Sequence, residues 1–367
     1  MKRLFALMLV LCLLLCGCAG DEAEETTAAT TEATTEATTE ATAEATTEAT
    51  TQPTTEAATE PAVPDAQINP LTGETLDAAS NDRPYAIMIN NHKAALPHCG
   101  VSEADVIYEI LVEGGMTRFM AIFMDPSQAE HIGSVRSARP PFVDIVQGYD
   151  ALYSSASGDQ TVRNQITNAG VDYLNGLTTN HFYRDQDRLN SGYSLEHTLF
   201  VDGDGLEQFA ADKGMRTTRK EGQQYGFHFD ESVPFEGDSA EKIVISFQSG
   251  GKTTTCSYDA GDGMYTLYQH KQDYIDGNTD EPVKLRNILI LEAESHVMEN
   301  GVHVHMENVG EGPGYYARDG KIIPITWSRE SLSAPYVYKT ADGSVLNMGV
   351  GTSYIALITD GAPVEYE

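Results

Sequence analysis

The chain has 367 residues and a formal charge of -32 at pH 7, with 55 acidic residues against 23 lysines and arginines. A surface so acidic repels phosphate backbones, which argues against nucleic acid as a partner. The five cysteines match no metal-binding spacing, and the sequence predicts no cofactor.

The N-terminus predicts export. Lys2 and Arg3 precede the apolar run LFALMLVLCLLL, which is too short to span a bilayer as a stable helix and is typical of a signal peptide over residues 1–17. The sequence LCGC at 15–18 resembles a lipobox, which implies cleavage before Cys18 and lipidation of its thiol with diacylglycerol, alongside an amide-linked acyl chain such as palmitate. Several acyl chains anchor a protein durably. The alternative is a plain secretory signal with incidental cysteines.

Residues 18–64 predict an acidic stalk. From residue 21 the segment repeats Thr, Glu and Ala and contains no aromatic residue, lysine or arginine. Such a composition cannot bury enough apolar surface to offset its chain entropy, and its like charges repel one another. We therefore predict a disordered, extended linker that holds a folded part away from the membrane.

Residues 65–230 predict a domain in which strands and helices alternate. The strand candidates are PYAIMIN (84–90), ALYSSAS (151–157) and VIYEILVEGGMTRFMAIFM (106–124), the last being two strands that turn at Gly114-Gly115. The helix candidates are PPFVDIVQGYD (140–150), GDQTVRNQITNAG (158–170) and GLEQFAADKG (205–214). This alternation indicates an α/β-type domain with a mixed sheet.

Residues 231–367 predict a smaller, mostly-β domain, because short apolar runs alternate with Gly, Asp and Asn turns. The fold class of the whole chain is therefore α+β. Each domain carries one cysteine, Cys99 or Cys256, and we expect two buried thiols, with a disulfide as the alternative in an oxidising compartment.

Several long motifs resemble the YerB-like bacterial lipoproteins. They are NPLTGE (69–74), the run 83–123, IGSVRSARPPFVDIVQGYDALY (132–153), GEGPGYYARDGKIIPITWSRE (310–330) and DGSVLNMGVGTSYIALI (342–358). The resemblance implies a two-domain protein that is lipid-anchored on the extracytoplasmic face of the membrane of a Gram-positive-type bacterium. It implies no catalytic residues, because the biochemistry of that family is unassigned.

A weaker likeness links the first domain to the LytR-CpsA-Psr phosphotransferases, which attach polyprenyl-pyrophosphate-linked polymers to the cell wall. The positions that match that family's anion-binding residues are Asp105, Arg136 and Arg139. The usual Pro-Arg-Asp is here Val-Arg-Ser, so one acid of the motif is missing. The likeness implies a shared fold more than shared chemistry.

Arginine strongly outnumbers lysine in residues 83–188, which favours fixed, forked recognition of a carboxylate or phosphate. The segment GSVRSAR lies where a strand gives way to a helix, a common position for ligand sites. The candidate ligand-binding residues are Arg136, Arg139, Ser134, Arg118, Asp105, Arg184 and Arg188. The alternative is internal pairing of the arginines with local acids, which would fix the loop without binding anything.

A hairpin is predicted in the second domain at Asn300-Gly301. Strand alternation places Glu294, His296, His303 and His305 on one face, where they could bind a divalent metal, with Val297, Val304 and Met306 on the core face. A plain solvent-exposed polar face is the favoured interpretation.

The sequence as a whole favours a membrane-anchored lipoprotein that binds an anionic envelope ligand or a partner in an arginine-lined cleft. A phosphotransferase acting on wall polymers and a non-catalytic scaffold are the alternatives. The motifs of serine hydrolases, zincins and P-loop enzymes do not occur in the sequence.

Overall fold

The computed structural model describes residues 67–367. The predicted signal peptide, Cys18 and the stalk lie outside the described residues. The strands of the first region are β1 (Tyr85–Ile89), β2 (Val106–Leu111), β3 (Thr117–Phe123), β4 (Ile132–Gly133), β5 (Leu152–Ser155), β6 (Tyr173–Asn175), β7 (Phe182–Arg184) and β8 (Leu199–Val201). Its helices are α1 (Pro140–Tyr149), α2 (Gln160–Ala169), α3 (Gln186–Asn190) and α4 (Gly203–Asp212).

The second region is built from strands. They are β9 (Asp238–Ser239), β10 (Lys242–Ser246), β11 (Thr253–Asp259), β12 (Met264–Gln269), β13 (Gln272–Asp273), β14 (Lys284–Leu285), β15 (Asn287–Ala293), β16 (Ser295–Val297), β17 (Val304–Met306), β18 (Gly310–Arg318), β19 (Lys321–Arg329), β20 (Val337–Thr340), β21 (Ser353–Thr359) and β22 (Val364–Tyr366). The predicted fold class is confirmed, since a mixed α/β region is followed by a mostly-β one.

The predicted helices form where their end signals are. Helix α1 begins at Pro140-Pro141, because proline fits the first turn of a helix, and it ends where Asp150 adopts a left-handed conformation. Helix α2 is capped by the Asp159 carboxylate, which accepts a hydrogen bond from the Val162 amide at 3.0 Å, and ends at Gly170.

One large sheet runs through both regions. Its strand order is β20-β19-β18-β15-β21-β2-β3-β1-β5-β6, with β9 paired to β19. Strand β21, near the end of the chain, lies between β15 and β2 and is parallel to both. How the two regions divide as folding units stays a prediction, but their strands hydrogen-bond in a single sheet.

The large sheet is covered on both faces, so β1, β2 and β3 are buried throughout their length. On one face, side chains such as Met88 and Tyr108 pack with Phe142 and Val146 of α1. On the other face, residues such as Ile107 pack with a second sheet, of order β13-β12-β11-β10-β22 with β14 paired to β12. A three-stranded sheet, β4-β8-β7, and helix α4 contribute to the same hydrophobic core as this second sheet.

A buried ion pair joins the two sheets. Glu109 of β2 is 0% exposed and pairs with Lys252, which precedes β11. The two Glu109 carboxylate oxygens accept hydrogen bonds from six side chains: Asn91, Thr117, Lys252, Thr254, Gln269 and Tyr354. Burial lowers the pKa of Lys252, and the charge of Glu109 opposes that shift. The carboxylate is therefore fully satisfied inside the protein.

Cys99 and Cys256 are both buried and are free thiols, as expected from the sequence. Within residues 67–367, every helix is too short or too polar to cross a membrane.

Candidate functional site

Four chain segments converge beside the end of β1 to form a cleft. Asn90, Asn91 and His92 follow β1 directly, the turn at 112–116 leads from β2 into the start of β3, and Leu195–His197 form a 3-10 helix before β8. The fourth segment is GSVRSAR, between β4 and α1. The predicted position of this segment, where a strand gives way to a helix, is confirmed.

The backbone of Arg136 is fixed on both sides. Its amide donates to the Met88 carbonyl of β1 at 3.0 Å, and its carbonyl accepts from the Ala156 amide at 3.0 Å. The residue before it, Val135, donates to the Leu199 carbonyl of β8 at 2.7 Å. The Arg136 side chain therefore starts from a rigid position between three strands.

Arg136 and Glu196 line two adjacent cavities, which together we call the Arg136 cleft. The first has a volume of about 300 Å³ and is lined also by Asn91, Thr117 and Arg118. The second has a volume of about 420 Å³, and Ser137, Arg184 and Ser194 are in its wall. Both volumes lie in the range of small-molecule sites.

Arg136 has a weak partner. Its guanidinium lies 3.0 Å from the Glu196 carboxylate, and the two side chains are 23% and 52% exposed. An ion pair this open to water contributes about 0–1 kcal/mol to stability. A ligand anion could therefore compete with Glu196 for the guanidinium.

Arg139 and Arg118 are held internally by one carboxylate. Glu113 accepts from Arg139 Nε at 2.6 Å and again from its Nη2, and it lies 3.4 Å from Arg118 Nη2. Burial would raise the pKa of Glu113, but the hydrogen bond from Arg139 and the two guanidinium charges outweigh it and lower the pKa to about 2. Burial, with the nearby Arg139 charge, lowers the pKa of Arg118 to about 9, so Arg118 stays charged at neutral pH.

A neutral histidine lies beside Arg136. The Nδ1 atom of His197 accepts a hydrogen bond from the side-chain Nδ2 of Asn90 at 2.9 Å, which leaves the ring proton on Nε2. Burial lowers the pKa of His197, and the Arg136 charge adds to that shift while Glu196 opposes it. The His92 ring stacks on His197 with centroids 5.4 Å apart.

The other predicted residues divide between the cleft and the interior. Arg184 lines the second cavity and donates to the Leu195 carbonyl at 2.6 Å. Ser134 is fully buried behind the wall, within 3.3 Å of Asn90. Arg188 is buried, donates to the carbonyls of Ala95, Pro97 and His197, and lies over the Phe200 ring.

Asp105 is placed apart from the arginines. Its carboxylate accepts from the Met124 amide at 2.6 Å and from the Asn69 side chain at 2.7 Å. Burial raises its pKa to about 6, and these two hydrogen bonds limit the shift. Asp105 therefore fixes two loops. The structure does not bring it together with Arg136 and Arg139, as the likeness to the phosphotransferases required.

The hairpin has the predicted register, and Val304 and Met306 pack against the core as predicted, but Val297 and His303 depart from their predicted faces. His296 lies opposite His305, and their rings are 5.0 Å apart. His303, however, is buried and bonds to Asp159 at 2.6 Å, so it leaves the proposed ligand set. Val297, predicted to face the core, is 62% exposed. In residues 67–367 no three His, Cys, Asp or Glu side chains converge to hold a metal, and Glu294 is exposed.

Several residues of the cleft were missed by sequence reasoning. They are Asn90, Asn91, His92, Thr117, Glu196 and His197. Glu196 and His197 are 60 and 61 residues from Arg136 in the chain, and no local pattern indicates that pairing.

Two family models match the chain. Residues 71–216 match the model described as "Protein of unknown function (DUF3048) N-terminal domain", and residues 243–355 match the DUF3048 C-terminal domain. The chain belongs to the DUF3048 family. Every residue of the Arg136 cleft falls within the N-terminal domain of that family.

The chain is also similar to "Putative lipoprotein YerB" of Bacillus subtilis (strain 168). The two are 28% identical over 309 residues, which cover 82% of this chain and 89% of the relative. The crystal structure of the YerB protein from Bacillus subtilis matches with a TM-score of 0.71 and 27% identity, over 81% of this chain and 99% of that one. The resemblance found in the sequence motifs is thus confirmed.

Proposed function

We propose that this protein is a lipid-anchored envelope lipoprotein that binds an anionic ligand in the Arg136 cleft. The anchor is supported by the lipobox-like LCGC at 15–18 and by the name of the Bacillus relative, a putative lipoprotein. An apolar signal followed by lipidated Cys18 would place the folded part outside the cytoplasmic membrane.

The anchor is tested by Cys18→Ala. We expect this variant to appear in the medium or to retain its signal peptide, since the acidic segment that follows has no membrane-seeking residues. Cys16→Ala is the matched control, because it removes a thiol two residues away and should leave processing and membrane fractionation unchanged. A Cys18→Ala protein that is processed and membrane-bound like the wild type would contradict the lipidation.

The ligand site rests on one observation: Arg136 is shared by two cavities and, among residues 67–367, is paired only with half-exposed Glu196. Arg118 and Arg184 extend the positive wall into each cavity. Since the whole chain carries -32, a concave surface lined by three guanidinium groups and one carboxylate, Glu196, is a local exception that would concentrate anions, even with Arg118 paired to Glu113. Forked guanidinium donors suit phosphate or carboxylate groups.

A buried acceptor adds to the chemistry of the ligand. Asn91 is 3% exposed, its Nδ2 donates to Glu109 and Thr117, and its Oδ1 has no hydrogen-bond partner among the described residues. Asn91 lines the first cavity, so a ligand hydroxyl or N–H group that reached this buried oxygen could donate to it. The ligand that fits combines an anionic group with a neighbouring hydrogen-bond donor.

The site is tested by calorimetric titration with inorganic pyrophosphate. We expect binding to weaken about tenfold or more in Arg136→Gln, because a charge-assisted hydrogen bond is lost. Glu196→Gln should tighten binding several-fold, because it removes the competing carboxylate. The opposite signs of these effects distinguish a site from a general change in charge.

Arg163→Gln is the control for that experiment. Arg163 lies on the exposed surface of α2, and its side chain bonds to no described residues other than Gly158 and Gln160, so its loss removes the same charge outside the cleft. Equal pyrophosphate affinity in the wild type, Arg136→Gln and Arg163→Gln would contradict the proposal.

A further inference from the structure

A third cavity, of about 500 Å³, shares no residue with the Arg136 cleft. One wall is the loop of the NPLTGE motif, with Asn69, Pro70 and Gly73. The other wall is the segment 219–229, which contributes the rings of Tyr225, Phe227 and Phe229. We call it the aromatic cavity.

The aromatic cavity is held in shape by close packing. Gly73 has φ +76°, and a Cβ there would lie 2.6 Å from the Phe229 ring, so only glycine lets the loop and the ring meet. The backbone on either side of Phe229 is tied to Met348: Met348 donates to the His228 carbonyl at 2.8 Å, and Asp230 donates to the Met348 carbonyl at 3.2 Å. The ring is therefore fixed in the wall.

Two buried polar atoms of this cavity's residues have no partner. Tyr225 is 5% exposed, and its Oη makes no hydrogen bond to a described residue. The Nε of Arg219 is likewise buried and unpartnered, while its Nη2 donates to the Ser80 carbonyl at 2.9 Å. Buried polar groups are rarely left unsatisfied, because each has lost its hydrogen bonds to water without replacing them. Both residues line the aromatic cavity, so a ligand there that reaches these atoms could supply the missing hydrogen bonds.

The remaining walls define the ligand's chemistry. Phe227 and Phe229 are partly exposed and offer flat apolar faces, and Gln223 and Gln224 offer amide groups. Within the part of the chain that the structure describes, no carboxylate lines the cavity, and Arg219 is its only arginine or lysine. An anionic ligand would thus meet one guanidinium, whose Nη2 is already engaged, and the imidazole of His228.

We propose that the aromatic cavity binds a neutral saccharide. A sugar ring has an apolar C–H face that packs on aromatic rings, and its hydroxyls both donate and accept hydrogen bonds. A hydroxyl can accept from Arg219 Nε and exchange a hydrogen bond with Tyr225 Oη. This inference does not depend on the Arg136 cleft.

The test is calorimetric titration of the full-length protein, in a detergent without a sugar headgroup, with chitotetraose, cellotetraose and maltotetraose. We expect at least one of the three to bind. Tyr225→Phe should weaken that binding about five- to tenfold, the effect of one lost hydrogen bond between neutral groups. Phe227→Ala should weaken it further, because the flat apolar face is removed.

Tyr336→Phe is the matched control, because Tyr336 Oη is also buried and unpartnered but lies outside the cavity. This variant and Arg136→Gln should bind the saccharide like the wild type. The proposal is overturned if none of the three saccharides binds at millimolar concentration, or if Tyr225→Phe binds as tightly as Tyr336→Phe. A loss in Arg136→Gln would also overturn it, by moving the saccharide to the other cleft.

Discussion

Two ion pairs lie on either side of the first cavity of the Arg136 cleft, and they differ in almost every physical respect. Glu109 and Lys252 lie behind Asn91 and Thr117, which line that cavity, and their side chains are 0% and 12% exposed. The Arg136–Glu196 pair lies in the cavity wall and is open to water. Six donors satisfy Glu109, whereas Arg136 has one half-exposed partner.

The difference shows what each pair does. A buried pair with all its hydrogen bonds made cannot lose one member without leaving a charge in a low-dielectric interior. An open pair loses little, because water replaces the missing partner. The first pair joins the two sheets, and the second leaves a charge available to a ligand.

The largest effect is expected from Lys252→Met. This change leaves the Glu109 carboxylate buried without its counter-charge, which should reduce the free energy of unfolding by about 3–5 kcal/mol. For a protein of this size that corresponds to a fall of about ten degrees in melting temperature. Thermal and urea unfolding would measure it.

Lys242→Met controls for the loss of a lysine, since Lys242 pairs with Glu367 at the surface and both side chains are more than half exposed. Adding Glu109→Gln to Lys252→Met should recover part of the stability, because the unpaired charge is then gone. If Lys252→Met and Lys242→Met unfold alike, the buried pair does not join the sheets as described.

The substitution Glu113→Gln should have an intermediate effect on the free energy of unfolding, and this effect should depend on pH. The pKa of Glu113 is about 2 in the folded protein, below its ordinary value of 4.5, so Glu113 contributes stability that is present above pH 4.5 and lost as the pH falls toward 2. We expect Glu113→Gln to be at most about 3 kcal/mol less stable than the wild type at neutral pH. The two proteins should converge in acid.

Urea unfolding across this pH range measures the convergence. Glu130→Gln is a suitable control, because Glu130 is 79% exposed and lies 3.7 Å from a single histidine. A difference between the wild type and Glu113→Gln that stays constant with pH would show that Glu113 is not held ionised by Arg118 and Arg139.

Local elements were predictable because their signals are local. The Pro140-Pro141 start of α1, the turn at Gly114-Gly115 and the register of His296 with His305 all follow from neighbouring residues. The position of β21 between β15 and β2 was not predictable. It pairs residues about 245 apart, such as Ile107 with Tyr354, and no sequence period records such a contact.

The site was predictable only in part for the same reason. An excess of arginine drew attention to Arg118, Arg136, Arg139 and Arg184, but the sequence could not say which of them would face a cavity. That depends on where the acids lie in space. Glu113 is at the turn beside Arg118 and Arg139, while Glu196 comes from a distant 3-10 helix.

The smallest effect on the free energy of unfolding is expected from Arg136→Gln. A small loss would distinguish Arg136 from a structural arginine such as Arg139. Because Glu196 stays hydrated when its partner is removed, the free energy of unfolding should fall by less than about 1 kcal/mol. Arg139→Gln should cost more, since it removes two of the hydrogen bonds that Glu113 accepts in a partly buried position. Added salt should reduce the Arg136 effect further, because exposed charges are screened.

Urea unfolding of the two variants at low and high salt measures which of them is the more destabilised. If Arg136→Gln proves the more destabilising of the two, Arg136 is a structural residue like Arg139, and the GSVRSAR segment holds the protein's own carboxylates and has no free guanidinium for a ligand.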